Sequence, residues 1–245
     1  AKMIAVEYYK EFIPPVAASK YIAAKKKCQT YYRHLLSELN HRLETTQIKQ
    51  CGGTWTDIDP NEVTSITMMK QRNAFLNMKP VAGRSGTGAG SMRHPDNVDR
   101  IQCANHFEQF INDAKTGTTR MKGKRVAISD FVKDAIEITK NHILVNQVEK
   151  DAINAQWDDN ATTTNSLPNM IAMVDTSASM NSDNALPLNS AIGLGCRVAE
   201  KSTLGRRVMT FNAKPSWINL EKTTNFCDMV TKISNDDWGY NTNFT

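Results

Sequence analysis

The chain has 245 residues, 40% of them hydrophobic and 22% charged, which is enough to bury a real core in one large domain or two ordinary ones. No run of 18 uninterrupted apolar residues occurs, which excludes a helical membrane span. The net charge of +5 is uneven: residues 1–150 carry 23 Lys/Arg against 15 Asp/Glu, and residues 151–245 carry 7 against 10. A basic N-terminal part of this kind is expected to face RNA or another polyanion, and ordinary surface chemistry is the competing reading.

In chain order, the N-terminal AKMIAVEYYKEF mixes charges into its apolar residues and is neither a signal nor a clean transit peptide. The missing initiator Met leaves processing or an incomplete chain open. Residues 16–50 read as a helix, with Tyr32, Leu35, Leu36, Leu39 and Leu43 on one stripe and Lys25, Lys26 and Lys27 near its start. Cys51-Gly52-Gly53 ends it as a glycine stop. Asp59 before Pro60, with Glu62 three residues on, reads as the start of a second helix carrying Met68, Met69, Arg72, Phe75 and Leu76. Residues 80–97 are rich in Gly and Ser and read as a flexible loop without a phosphate-cradling motif. Helical spacing returns at 98–115, with Ile101, Ala104, Phe107, Phe110 and Ile111 on one side. A basic turn follows, Arg120, Lys122, Lys124 and Arg125, and then a helix from Ser129-Asp130 with Phe131, Val132, Ala135, Ile136 and Ile143 inward. Residues 1–150 are thus expected to form a basic all-helical domain, with Lys25, Lys26, Lys27, Arg120, Lys122, Lys124 and Arg125 as its nucleic-acid contacts. Residues 151–167, polar and threonine-rich, read as a linker.

From Pro168 the texture changes. Met170-Ile171-Ala172-Met173-Val174 is a continuous apolar run of strand length, as in a buried parallel strand. A helix is expected over 185–201, short strands at 207–211 and 215–220, and a helix over 226–233. The whole reads as α + α/β, a helical region followed by a Rossmann-type sheet domain.

Directly after the first strand, Asp175, Ser177 and Ser179 alternate. Ligands gather at the carboxyl ends of strands in α/β sheets, and a loop leaving the strand can point every second side chain to one place. One carboxylate and two hydroxyls suit a hard cation such as Mg²⁺, with Mn²⁺ or Ca²⁺ also admissible, and not zinc. Capping of the following helix is the alternative use of these residues.

DTSASM after MIAMV resembles the metal-ion-dependent adhesion site of von Willebrand factor A-like domains, whose signature is D-x-S-x-S. The resemblance implies a fourth ligand from a later loop. Gly239-Tyr240-Asn241-Thr242 is close to the family's G-x-T pattern with one extra residue, which assigns Thr242. The family's last aspartate has no counterpart before Thr245, so residues 168–245 are expected to be a partial domain. Asp236 and Asp237 do not match its position and read as surface residues. LLSELNHRLE, W-x-x-I-D-P-x-x-V-x-S and RNAFLN, with DTSASM, also resemble an uncharacterised family of plants, fungi, bacteria, phages and large DNA viruses. Its layout is similar to that of the Ro/TROVE ribonucleoproteins, an analogy of architecture alone.

The function expected is metal-dependent binding or scaffolding: an acidic protein partner at the cation, RNA at the basic helices, no membrane and no catalysis. A structural or assembly component of a virion is the alternative. His34, His41, His94, His106 and His142 are isolated, and Ser177 lacks the glycines of a nucleophile elbow. Five dispersed cysteines without a C-x-x-C pair fit reduced thiols in a cytoplasmic setting. Oligomeric state is left open.

Overall fold

The computed structural model describes residues 2–16, 19–79, 91–140 and 147–236, and divides into two compact units, Ala1–Asp57 and Ile58–Thr245. The division falls at Asp57, and the residues after it share one core.

The first unit contains α1 (Lys2–Tyr8), α2 (Tyr21–Arg42) and α3 (Thr46–Gly52). The long helix expected over 16–50 is broken between Arg42 and Thr46, where Glu44 takes a positive φ of 45°. Gly53 closes α3 in the left-handed conformation at φ 74°, as the glycine stop requires. Helix α1 packs on α2, burying Ala5 and Cys28, while the leucine stripe of α2 stays largely exposed.

The second unit begins with a turn. Asp59 Oδ1 accepts the backbone N–H of Asn61 at 2.8 Å, so Asp59-Pro60 makes a local Asx turn and not the expected helix start. Helix α4 (Ser65–Phe75) starts instead at Thr64, whose side chain accepts from the Thr67 N–H. The ends of the expected loop are pinned. Met78 bridges Met92, and the side chain of Asn77 binds both the N–H and the carbonyl of His94 at 3.0 Å. Residues 80–90 of that loop lie outside the described residues. Helix α5 (Val98–Lys115) buries Ala104, Phe107, Phe110 and Ile111 as its spacing predicts, and Phe107 stacks on Phe75 at 4.3 Å. Helix α6 (Ile128–Lys140) buries Phe131, Val132 and Ala135. Ile143 lies outside the described residues.

Residues expected to be a linker are largely a core helix. Helix α7 (Gln147–Ala161) buries Ala152, Ile153 and Trp157. Gln156, Asp159 and Asn160 are buried too, because they hold the basic turn. Asp159 Oδ2 accepts the N–H groups of Gly123 (2.7 Å) and Lys124 (3.1 Å), and its other oxygen pairs with Arg120. Gln156 Nε2 donates to the carbonyls of Lys122 (2.7 Å) and Ser65 (3.2 Å).

The sheet is small and mixed. Strand β1 (Ala172–Asp175) runs parallel to β2 (Arg207–Phe211), which pairs antiparallel with β3 (Trp217–Asn219). Helices α8 (Ser182–Lys201) and α9 (Phe226–Ser234) complete the unit. Val174, Val208 and Ile218 face the core, with Gly195 of α8 so close that a Cβ there would meet Val174 Cγ2 at 2.5 Å. Gly193 permits the same approach to Ile128 of α6. On the other face Met173 and Trp217 are 59% and 63% exposed, so the apolar run at β1 is covered on one side and bare on the other among the described residues. The coarse class, helices plus an α/β part, is as expected.

One hydrophobic cluster joins both halves of this unit. Trp157 stacks on Phe226 at 3.8 Å, Phe131 meets both rings edge-on, and Arg197 lies 3.7 Å over the indole. Glu200 accepts the indole N–H at 2.8 Å and the Arg197 guanidinium at 3.1 Å. Burial pushes the carboxyls of Asp134, Glu149 and Glu200 above their usual range, against the lowering influence of Arg72, Arg197 and the Trp157 N–H. Folded-state values above the unfolded ones mean that these acids stabilise the fold fully below the ordinary carboxylate range. That contribution is lost as pH rises through the raised values. The unfolding midpoint should therefore decline as pH rises from the ordinary carboxylate range, about 4, through the raised values at constant ionic strength. Asp134→Asn should flatten the slope in a thermal-melt series; an unchanged slope would show that its carboxyl titrates normally.

Candidate metal loop and basic surfaces

The chain crosses from β1 into the polar loop because Thr176 and Asn212 hold the two adjacent strand ends together. Thr176 N–H donates to the Phe211 carbonyl at 3.1 Å, and Asn212 Nδ2 donates to Thr176 Oγ1 at 2.7 Å, both side chains being buried. Neither residue is among those that the sequence pattern marks for the site. The one signal for Asn212 is its place as a polar residue directly after the apolar strand RVMTF.

Beyond Thr176, Asp175 Oδ1 accepts the Ser177 N–H at 2.9 Å, folding the loop back over the strand end. Ser177 Oγ and Ser179 Oγ then stand 3.1 Å apart. The three expected ligands grade outward: Ser177 buried, Asp175 half-buried, Ser179 exposed. The loop runs into a 3₁₀ turn, Ala178–Asn181, and neither that turn nor α8 receives a side-chain cap hydrogen bond. The alternative role in helix capping is therefore not what these side chains do. Asp183, Asn184 and Ala185 next adopt positive φ of 49°, 54° and 60°, a sterically costly run for non-glycine residues. Regular helix resumes after Ala185, which leaves Pro187 in its first turn, where its missing N–H has no partner to lose.

The donor set fits a hard divalent cation in kind: a carboxylate with Oδ2 free of hydrogen bonds among the described residues, and two hydroxyls 3.1 Å apart in the same loop. Among the described residues no group of three His, Cys, Asp or Glu gathers anywhere, so a strongly chelating cluster is not what this loop offers. Thr242 lies outside the described residues, as does Asp237. Asp236, expected at the surface, is half-buried and accepts a hydrogen bond from Ser216, tying the end of α9 to the β2–β3 hairpin.

The basic candidates fall in both units. Lys25 and Lys27 lie over the rings of Tyr21 (5.8 Å) and Tyr31 (5.6 Å), with Lys26 exposed between them. In the second unit Arg120 is engaged by Asp159 and Thr162, whereas Lys122, Lys124 and Arg125 are exposed. The backbone of that turn is structural, and three of its four side chains remain available.

Four of the five cysteines are buried, and Cys51 is exposed. Burial pushes the thiols of Cys103 and Cys227 up to about 12 and that of Cys196 higher still, which makes them inert core residues.

The architecture is thus a helical body joined to a small mixed sheet whose first strand ends in an oxygen-rich loop. A family model described as a domain of unknown function (DUF7788) matches residues 169–245, the part that holds this loop. The chain is also 27% identical, over 214 residues, to Uncharacterized protein L728 of Acanthamoeba polyphaga mimivirus. That similarity covers 86% of this chain and 34% of the relative, so the chain spans about a third of that protein's length. Both fit an uncharacterised family that reaches into large DNA viruses, and the description of neither names a von Willebrand A or Ro domain. No solved structure matches. Among the described residues no helix is long and apolar enough to cross a membrane.

Proposed function

We propose that the protein is a non-catalytic binding or scaffold protein whose β1 loop holds a divalent cation of the Mg²⁺ type, in a von Willebrand A-like domain. The observation that carries this is the loop at the carboxyl end of β1, where Asp175 Oδ1 accepts the Ser177 N–H and the Ser177 and Ser179 hydroxyls stand 3.1 Å apart. Asp175 would supply the charge and the two serines neutral oxygens. A cation held by so few protein charges keeps Lewis acidity for an outside ligand, which favours a carboxylate on an acidic protein partner. The basic side chains of the helical part provide a second contact, to RNA.

The expected outcome is that isothermal titration with Mg²⁺ or Mn²⁺ gives one weak site, and that Asp175→Ala removes it without changing the free energy of unfolding by more than about 1 kcal/mol. Unchanged metal binding in that variant would sink the assignment. A second reading, an assembly component that packs through its sheet, is favoured by the bare apolar face at Met173 and Trp217. It predicts no metal site and concentration-dependent self-association.

A further inference from the structure

The aromatic residues of the first unit are a feature that metal binding leaves unused. Tyr8 and Tyr9 meet edge-on at 4.9 Å. Tyr32 lies 6.2 Å from Tyr8, while Phe12 and Tyr31 lie 6.2 and 6.1 Å from Tyr9. These five rings of α1, the turn after it and α2 form one continuous cluster, yet it is not a core. Phe12 is 68% exposed, Tyr8 60% and Tyr31 49%. An exposed aromatic cluster of this kind calls for a partner that presents flat, apolar faces.

The charge around it says which partner. Residues 1–37 hold seven Lys/Arg against two Asp/Glu. Of the two acids, Glu7 is already paired with Lys10 at 2.9 Å. Lys25, Lys26 and Lys27 rise from the same helix as Tyr31 and Tyr32, and Lys27 already lies over the Tyr31 ring. A protein partner for such a face would have to be acidic and aromatic together. Nucleic acid supplies both features in every nucleotide. Rings that stack on bases need those bases unpaired, because a duplex keeps its π faces inside.

We infer that the α1–α2 face binds single-stranded nucleic acid, with Tyr8, Phe12 and Tyr31 stacking on bases and Lys25 and Lys27, which flank the rings on α2, tracking the phosphates. The inference rests on the RNA half of the proposed function and narrows it to unpaired strands read without sequence preference, since every base has a face to stack.

The test is fluorescence anisotropy of the full chain against three labelled probes of equal length: oligouridylate, an abasic strand with the same phosphates, and duplex RNA. Each titration is run in EDTA, so that failure of the metal site leaves this result untouched. Oligouridylate is expected to bind at least about 10-fold more tightly than the abasic strand, and single strand more tightly than duplex. Tyr31→Leu, which keeps apolar area but removes the π face, and Tyr8→Ala should each weaken oligouridylate binding by about 5- to 100-fold. Replacing Lys25 and Lys27 by alanine should weaken all strands alike and flatten the salt dependence, by about 0.7 in the log–log slope for each phosphate left unneutralised. Circular dichroism checks that each variant is folded; Phe12→Leu, at the most exposed ring, serves if Tyr8→Ala is not. Equal binding of abasic and base-bearing strands overturns the inference, as does wild-type affinity in the aromatic variants. A weakened lysine variant beside unaffected aromatic ones would reduce the face to a simple polyanion surface and overturn it equally.

Discussion

Trp157→Ala is expected to lower the free energy of unfolding by about 4 kcal/mol, which for a domain of this size removes a large part of its stability. The side chain is fully buried and belongs to a helix that sequence patterning reads as a linker. Its ring is stacked on Phe226 and on the Arg197 guanidinium, so truncation leaves a cavity with a buried cation on its wall. It also deprives Glu200, a half-buried carboxylate, of a donor. Trp157→Phe preserves the stack and most of the volume but not the N–H, and should cost about 1–3 kcal/mol. Urea unfolding followed by far-ultraviolet circular dichroism separates the two variants. If both left the midpoint near wild type, α7 would not be part of the core.

The second large effect belongs to Gly123→Ala. A Cβ at this position would stand 1.8 Å from the carbonyl oxygen of Gln156 and 2.6 Å from its carbonyl carbon. These are backbone atoms of α7 and cannot swing aside as a side chain would. Moving the turn away breaks the Gly123 N–H bond to Asp159 and strands a buried carboxylate. We expect a loss of about 3 kcal/mol or more under the same urea titration. Lys124→Ala, one residue on and exposed, should stay within about 0.5 kcal/mol because its bond to Asp159 is made by the backbone. A benign Gly123→Ala would mean that the turn does not lie against α7.

These two variants also mark where the sequence is hard to read. Periodicity locates α5 and α6 because their buried faces are apolar, with Phe107, Phe110 and Phe131 at helical spacing. Over α7 periodicity fails, since Gln156, Asp159 and Asn160 are buried to satisfy the turn at 120–126, and buried polar residues resemble a solvated loop in composition. At Asp59-Pro60 capping chemistry is present but is used for a turn, and the helix begins further on, after its Thr64 cap. The strand at 172–175 and its Asp-Thr-Ser-Ala-Ser loop are legible because an apolar run that stops at an acidic residue is a local signal. Thr176 and Asn212, which clamp that loop, are not, because their partnership joins two strands 36 residues apart. Of the four expected ligands, Thr242 lies outside the described residues.

Helix α7 has one more implication, for how this protein can be divided. Residues 169–245 are recognisable on their own, yet Phe226 rests on Trp157 and Phe131, and Gly193 on Ile128, all earlier in the chain. A gene fusion or recombination breakpoint placed just before residue 169 would therefore deliver a sheet and two helices with their inner face uncovered. The longer stretch from Ile58 onward keeps that inner face covered. The shorter one is a signature within it.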